Sequence, residues 1–161
     1  MGAPSPADLE LLYRRDFQQL VRVATAITRS EAAGAEAVQE AFLRLLRSRG
    51  SFRGEGPLGA WVWRTVVNEA KRVAERERGM GTVAHEPSEN GRGSEDAATR
   101  ELVAALPERQ RLAVFLRYYA DLDYRTIGQV LGIETGTVSA TLAAAHQTLR
   151  TAIEGVLDDA R

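Results

Sequence analysis

Eighteen residues with no apolar period, GMGTVAHEPSENGRGSED from Gly79 to Asp96, constrain this 161-residue chain more than any other feature. Gly, Pro, Ser and acid dominate the run, which is the composition of a flexible connector. One core cannot be laid across such a break. The expected organisation is therefore a module over residues 1–78, a linker over 79–96 and a second module over 97–161. Modules this short bury a modest share of their surface, so regular local structure has to carry much of the fold. Few aromatics, many alanines and 27% charged residues favour helices over sheets. The expected fold class is all-α, two small helical bundles.

Helix signals in the first module are explicit. Ser5 can cap a helix with Pro6 in its first turn and Asp8 near the positive end of the dipole. Leu9, Tyr13, Phe17, Leu20, Ala24 and Ile27 then recur at three- and four-residue steps as one buried stripe. Ser30 can cap a second helix ending near Gly50, with Val38, Phe42 and Leu45 inward. The turn FRGEGP leads to a third helix opened by Pro57, whose inward stripe reads Leu58, Trp61, Val62, Thr65, Val66 and Val73.

The outward faces carry more information than the cores. On the second helix Glu36, Gln39, Glu40, Leu43 and Arg47 mix acid, amide and an apolar residue. On surface helices in general such a stripe is a solvated face. On the third helix Trp63, Arg64, Val67, Asn68, Lys71 and Arg72 fall away from the inward stripe, which puts an indole among cations. Single-stranded nucleic acid needs that combination, because bases stack on aromatic faces and phosphates need countercharge. The plainer reading of Trp63 is satellite core.

In the second module a helix pair breaks at Pro107. Asp123 then caps a helix from Tyr124 to Leu131, Gly132 supplies a sharp turn, and Ile133 plugs the core. Val138, Leu142, Ala145 and Leu149 form the inward stripe of the last helix. This is a helix-turn-helix pattern. Its cation content is low: from Tyr124 to Arg150 the only Lys or Arg residues are Arg125 and Arg150. Thr137, Ser139, Thr141, His146 and Gln147 can meet base edges but hold phosphates poorly. Counted by segment, residues 1–78 hold 13 basic and 10 acidic side chains, residues 79–96 hold 1 and 4, and residues 97–161 hold 7 and 8. The positive field is modest and sits in the first module.

Several chemistries are disfavoured. No cysteine is present, which removes disulfides, thiolate zinc sites and Cys nucleophiles together, and two histidines, His85 and His146, are too few for an ordinary metal cluster. No metal or cofactor is expected. No paired catalytic carboxylates, Ser-His-Asp arrangement or phosphate loop appears, so an enzyme is not expected either. The start MGAPSPADLE lacks the build of a signal peptide, and no apolar run approaches the roughly 20 residues that cross a bilayer. A cytoplasmic protein with no membrane partner is expected.

The ordered set of motifs resembles the extracytoplasmic-function (ECF) sigma factors of the sigma-70 family. EAVQEAFLRLLR is similar to that family's polymerase-clamp helix, SFRGEGPLGAWVWRTVVNEAKR to its promoter-melting turn and helix, and ALPERQRLAVFLRYYADLDYRTIGQVLGIETGTVS to the region reading the minus-thirty-five element. The resemblance implies that Glu36, Gln39, Glu40 and Leu43 dock on the clamp of bacterial RNA polymerase. It implies that Phe52 and Asn68 help hold a flipped minus-ten base, with Arg53, Trp63, Arg64, Lys71 and Arg72 around it. It places Arg125, Thr137, Ser139, Thr141, His146, Gln147 and Arg150 at the minus-thirty-five element. The implied partners are the polymerase core, through clamp and flap, promoter DNA and, as the family's common means of control, an anti-sigma factor. The chain departs from the family in its cation-poor last helix and in AAGA ahead of Glu36, where acids are usual. Two other readings stand beside it: a sigma-like adaptor with a weakened DNA-reading module, and a stand-alone helix-turn-helix regulator.

Overall fold

The structure, a computed structural model, describes residues 2–80 and 94–161 and divides into two compact units, Met1–Glu86 and Pro87–Arg161. The described residues form seven α-helices and no strand. Of the connector read at 79–96, residues 81–93, His85 among them, lie outside the described residues. Its described ends belong to helices, which reach Gly79 on one side and begin at Ser94 on the other.

The first unit packs three helices, α1 (Pro6–Thr28), α2 (Glu31–Ser48) and α3 (Leu58–Gly79), each against the other two. The start of α1 is a reciprocal cap. The Asp8 N–H donates to Ser5 Oγ at 3.2 Å while the Ser5 N–H donates to Asp8 Oδ2 at 2.8 Å. These bonds from Ser5, backbone first and then hydroxyl, hold the Asp8 carboxyl below its ordinary range. Arg29 ends the helix in the left-handed region, its N–H reaching the Thr25 carbonyl at 2.7 Å. Ser30 caps α2 through the Ala33 N–H at 3.2 Å.

Gly34 sets how closely α1 and α2 approach. A Cβ there would stand 2.5 Å from Thr25 Oγ1 and 2.7 Å from the Thr25 backbone nitrogen. The core is Leu9, Leu20, Val23 and Ala24 from α1, Ala37, Val38, Ala41, Phe42 and Leu45 from α2, and Val62, Trp63, Val66, Val67, Ala70 and Val73 from α3. The stripe expected on α1 needs correction at its centre. Phe17 is exposed and Tyr13 half-buried, the two rings lying 5.1 Å apart with Tyr13 edge-on to Phe42, while Val23 takes an inner position.

The second unit comprises α4 (Ser94–Ala104), α5 (Glu108–Tyr118), α6 (Tyr124–Leu131) and α7 (Thr135–Asp159). Pro107 separates α4 from α5 as expected. The Arg111 guanidinium donates from Nη1 to the carbonyls of Ala104 and Leu106 at 3.1 and 3.0 Å, satisfying acceptors that the end of α4 leaves open. Asp123 caps α6 through the Thr126 N–H at 2.8 Å, and bonding from Thr126, side chain and then backbone, lowers its carboxyl pKa. Gly132, at φ 69°, makes the sharp turn. Gly128 permits the tight return: the Ile133 N–H meets its carbonyl at 2.9 Å, and a Cβ on it would sit 2.7 Å from the Ile133 oxygen. Ile133 itself is half-buried rather than a full plug. Val138, Leu142 and Ala145 are buried, but Leu149 is half-exposed, because α7 runs on past the bundle and carries Ile153, Val156 and Leu157 into solvent. Among the described residues no helix is long and apolar enough to cross a membrane.

Candidate functional site

The two outward surfaces of the first unit follow from which arcs of α2 and α3 are consumed by packing. On α2 the buried arc is Ala33, Gly34, Ala37, Val38, Ala41, Phe42 and Leu45. Residues a half-turn away are left in solvent, and these are Glu36, Gln39, Glu40, Leu43 and Arg47. The structure therefore brings all four residues expected at a polymerase together on one face. It adds Leu46, 40% exposed beside Leu43 at 44%, a pair of leucines open to water. Sequence reasoning passed over Leu46, although an apolar residue three positions beyond Leu43 was the available signal. Glu36 also reaches Arg76 of α3 at 3.2 Å, an exposed pair of the kind worth about 0–1 kcal/mol and easily exchanged for another partner.

On α3 the structure keeps the expected helical period and shifts its phase. The helix packs on both α1 and α2, so its buried arc is wide: Val62, Trp63, Val66, Val67, Glu69, Ala70 and Val73. Trp63, set on the cationic surface with core as its plainer reading, is 3% exposed and belongs to the core, as does Val67. At 100° per residue Trp61 points almost opposite Trp63 and becomes the outer indole. It is half-buried rather than inward, with Phe52 from the preceding turn against it at 5.1 Å between centroids and 43° between planes. Arg64, Asn68 and Arg72 are exposed and Thr65 and Lys71 half-exposed on this same side. Asn68 follows Trp61 by seven residues, two turns or roughly 10 Å along the axis, on one line with it.

The turn that carries Phe52 and Arg53 is shaped by its glycines. After the short 3-10 turn Arg49–Ser51, Gly54 and Gly56 both take positive φ, 72° and 97°, and Pro57 opens α3. The chain reverses tightly enough to lay Phe52 on Trp61 while Arg53 stays exposed. An aromatic pair, an amide and several cations thus line one side of the helix. That set can stack a base, bond its edge and neutralise phosphate.

In the second unit the expected DNA-reading residues divide. Arg125 is exposed on α6. On α7, Ser139, His146 and Arg150 lie on one flank of the inward stripe, Thr137 and Thr141 on the other, and Gln147 opposite the core. Thr141 is half-buried and its hydroxyl donates to the Thr137 carbonyl at 2.7 Å, so it is satisfied within the helix. His146 is not simply turned to solvent. Its Nε2 shares a 2.7 Å hydrogen bond with the Tyr118 hydroxyl of α5. Between residues 140 and 147 what remains outermost on α7 is Ala140, Ala143, Ala144 and Gln147, a small neutral surface.

The sequence signature of Sigma-70 region 2 matches residues 12–79, and that of Sigma-70, region 4 matches residues 96–149. The chain belongs to the sigma-70 family and, within it, to the ECF sigma factors. Among its relatives, the RNA polymerase sigma-H factor of Pseudomonas aeruginosa is 28% identical over 145 residues, 78% of this chain and 75% of that protein. The ECF RNA polymerase sigma-E factor of Escherichia coli strain K12 is 26% identical over 158 residues, 84% of this chain and 83% of its own length. Two solved structures share the fold. CnrH in complex with the cytosolic domain of CnrY aligns at a TM-score of 0.73, with 17% identity, over 94% of this chain and 90% of that one. The sigma factor RpoE in complex with the anti-sigma factor NepR from Bartonella quintana aligns at 0.66, with 19% identity, over 92% and 95%.

Proposed function

We propose that this chain is a dissociable initiation subunit of bacterial RNA polymerase, in which the exposed face of α2 docks on the core enzyme while the outer side of α3 opens the promoter. The observation that carries this reading is the placement of Glu36, Gln39, Glu40 and Leu43 on a helix adjoining the one that aligns Trp61, Asn68 and Arg72. Charge on α2 fixes register and Leu43 with Leu46 supplies apolar contact. Unstacking a base costs a few kcal/mol, and Phe52, Asn68 and the cations of α3 repay it without chemical fuel. In this reading residues 1–78 act as the polymerase and minus-ten module and residues 97–161 as the upstream reader. It works in the cytoplasm, and control by an anti-sigma factor, as named for the Bartonella relative, is part of the same proposal. Pull-down with purified core polymerase tests it. Wild-type chain is expected to be retained, and Glu40→Arg to lose roughly tenfold or more in affinity, as for the loss of a close charge pair at an interface. A Glu40→Arg protein that bound as well as wild type would end the proposal.

A second reading is favoured by the neutral outer surface of α7 and the engagement of His146 by Tyr118. In it the chain binds polymerase or a regulator while its second unit serves a contact other than duplex DNA. Run-off transcription by reconstituted holoenzyme on a pool of randomised promoters separates the two. Enrichment of an upstream element supports the first, and enrichment of a downstream element alone supports the second.

A further inference from the structure

Glu69 lies at the seam between the two faces of the first unit, and neither face as described above uses it. Thr28 and Glu69 are the two polar side chains in the core of the described residues, and Glu69 is 7% exposed. Thr28 is satisfied by the Ala24 carbonyl at 2.9 Å, whereas Glu69 is a carboxylate and needs countercharge to sit so deep. It receives two guanidiniums on one oxygen. Arg44 Nε of α2 stands 2.7 Å from Oε1, and Arg72 Nη1 of α3 stands 3.1 Å from the same atom. Arg72 belongs to the DNA face assigned above, and Arg44 stands beside the polymerase face. Arg44 directly follows Leu43 at the rim of the polymerase face, and Arg72 lies one turn beyond Asn68 on the DNA face.

We infer that Glu69 is a positioning residue of the initiation surface: one buried carboxylate fixes Arg44 and Arg72 and so locks the polymerase face in register with the DNA face. The chemistry supports a locating role over a purely cohesive one. An arginine left on an exposed helix samples many rotamers, and a fixed acceptor at its root removes most of them while leaving the other guanidinium nitrogens for phosphate. Because the acceptor is shared, displacing either guanidinium leaves the carboxylate less compensated, which couples the two helices.

The inference rests on the function proposed above, and the test keeps the two apart. Full-length protein, reconstituted with core polymerase, is assayed for open-complex formation by base-analogue fluorescence on a promoter that the wild-type holoenzyme opens. Glu69→Gln, which keeps the shape and removes the charge, is expected to retain core affinity and to lose roughly tenfold in promoter opening, the size of one charge-assisted hydrogen bond. In an Arg72→Gln background, where the carboxylate holds Arg44 alone, the same substitution is expected to add less than the loss it causes in the wild-type chain. A merely structural role would make the losses additive, and that outcome overturns the inference. Unchanged or tighter promoter binding with a steeper salt dependence overturns it too, since it would show Glu69 muting the arginines and not placing them. Should Glu69→Gln fail to fold, Glu69→Asp takes its place in the same cycle, keeping the charge but too short to hold both arginines. A wild-type chain that forms no holoenzyme removes the function proposed above and this inference together.

Discussion

The two units solve the same packing problem and present opposite surfaces. In the first, three long helices leave a cationic side on α3 and an acidic, leucine-bearing side on α2, with ion pairs running between them. In the second, the helix-turn-helix frame is complete, down to the αL glycine and the capping aspartate, yet the outer surface of α7 from Ala140 to Gln147 is alanine and glutamine. A DNA-reading frame is therefore a statement about backbone and core, while grip is a statement about surface charge, and the two are separable within one chain.

Four tests sharpen that contrast, and the largest effect belongs to the core of the first unit. Trp63→Ala is expected to cost about 3–5 kcal/mol, while Trp61→Ala costs far less stability and instead lowers promoter opening. Thermal melting followed with an open-complex assay checks both, and equal destabilisation by the two would show that α3 is phased differently. Next come the glycines. Gly34→Ala forces a Cβ onto the Thr25 backbone and Gly128→Ala one onto the Ile133 carbonyl. Each is expected to lose about 1–3 kcal/mol, the overpacking cost exceeding the gain in helix propensity. Hydrogen exchange is expected to place the first loss in residues 2–80 alone and the second in 94–161 alone, and a loss shared by both would contradict two separate cores.

A smaller change tests the surface argument directly. Ala140→Arg with Ala144→Arg puts cations on the outer side of α7, and the slope of log affinity for duplex DNA against log salt is expected to steepen by about 0.9 for each new phosphate contact. No change in slope would mean that this side of α7 does not face DNA. The smallest effect is acid sensitivity at the caps. Asp8 and Asp123 have carboxyls held below the ordinary value of 3.8 in the folded chain. A depressed folded pKa gives stability that is present above 3.8 and drains away as pH falls through the lower folded value. Melting temperature should decline in that window less steeply for Asp8→Asn or Asp123→Asn than for wild type, and parallel curves would count against the caps.

Much of this was legible in the residues because helix ends and periods are local. Ser5, Ser30, Pro57, Pro107, Asp123 and Gly132 mark boundaries that depend on a few neighbouring atoms, and the α7 stripe follows from spacing alone through Ala145. The phase of α3 was not legible, because how wide an arc is buried depends on how many helices cover it. With α1 and α2 both against it, Trp63 went in and Trp61 came to the edge. Gly34 looked like a gap in an acidic pattern, and its reason, the backbone of Thr25, lies on another helix. Glu69 has no role in the sequence pattern, because its partner Arg44 lies on another helix.

The opposite placement of the two tryptophans gives the chain an optical handle. It has two indoles, both in the first unit, one buried in the core and one resting on Phe52 at the edge of solvent. Replacing Trp63 with Phe leaves a single emitter, whose colour and quenching would report a nucleobase in the place proposed for it beside Phe52. Replacing Trp61 with Phe leaves one that follows only the integrity of the first bundle, so docking and unfolding can be watched separately in an otherwise unlabelled protein.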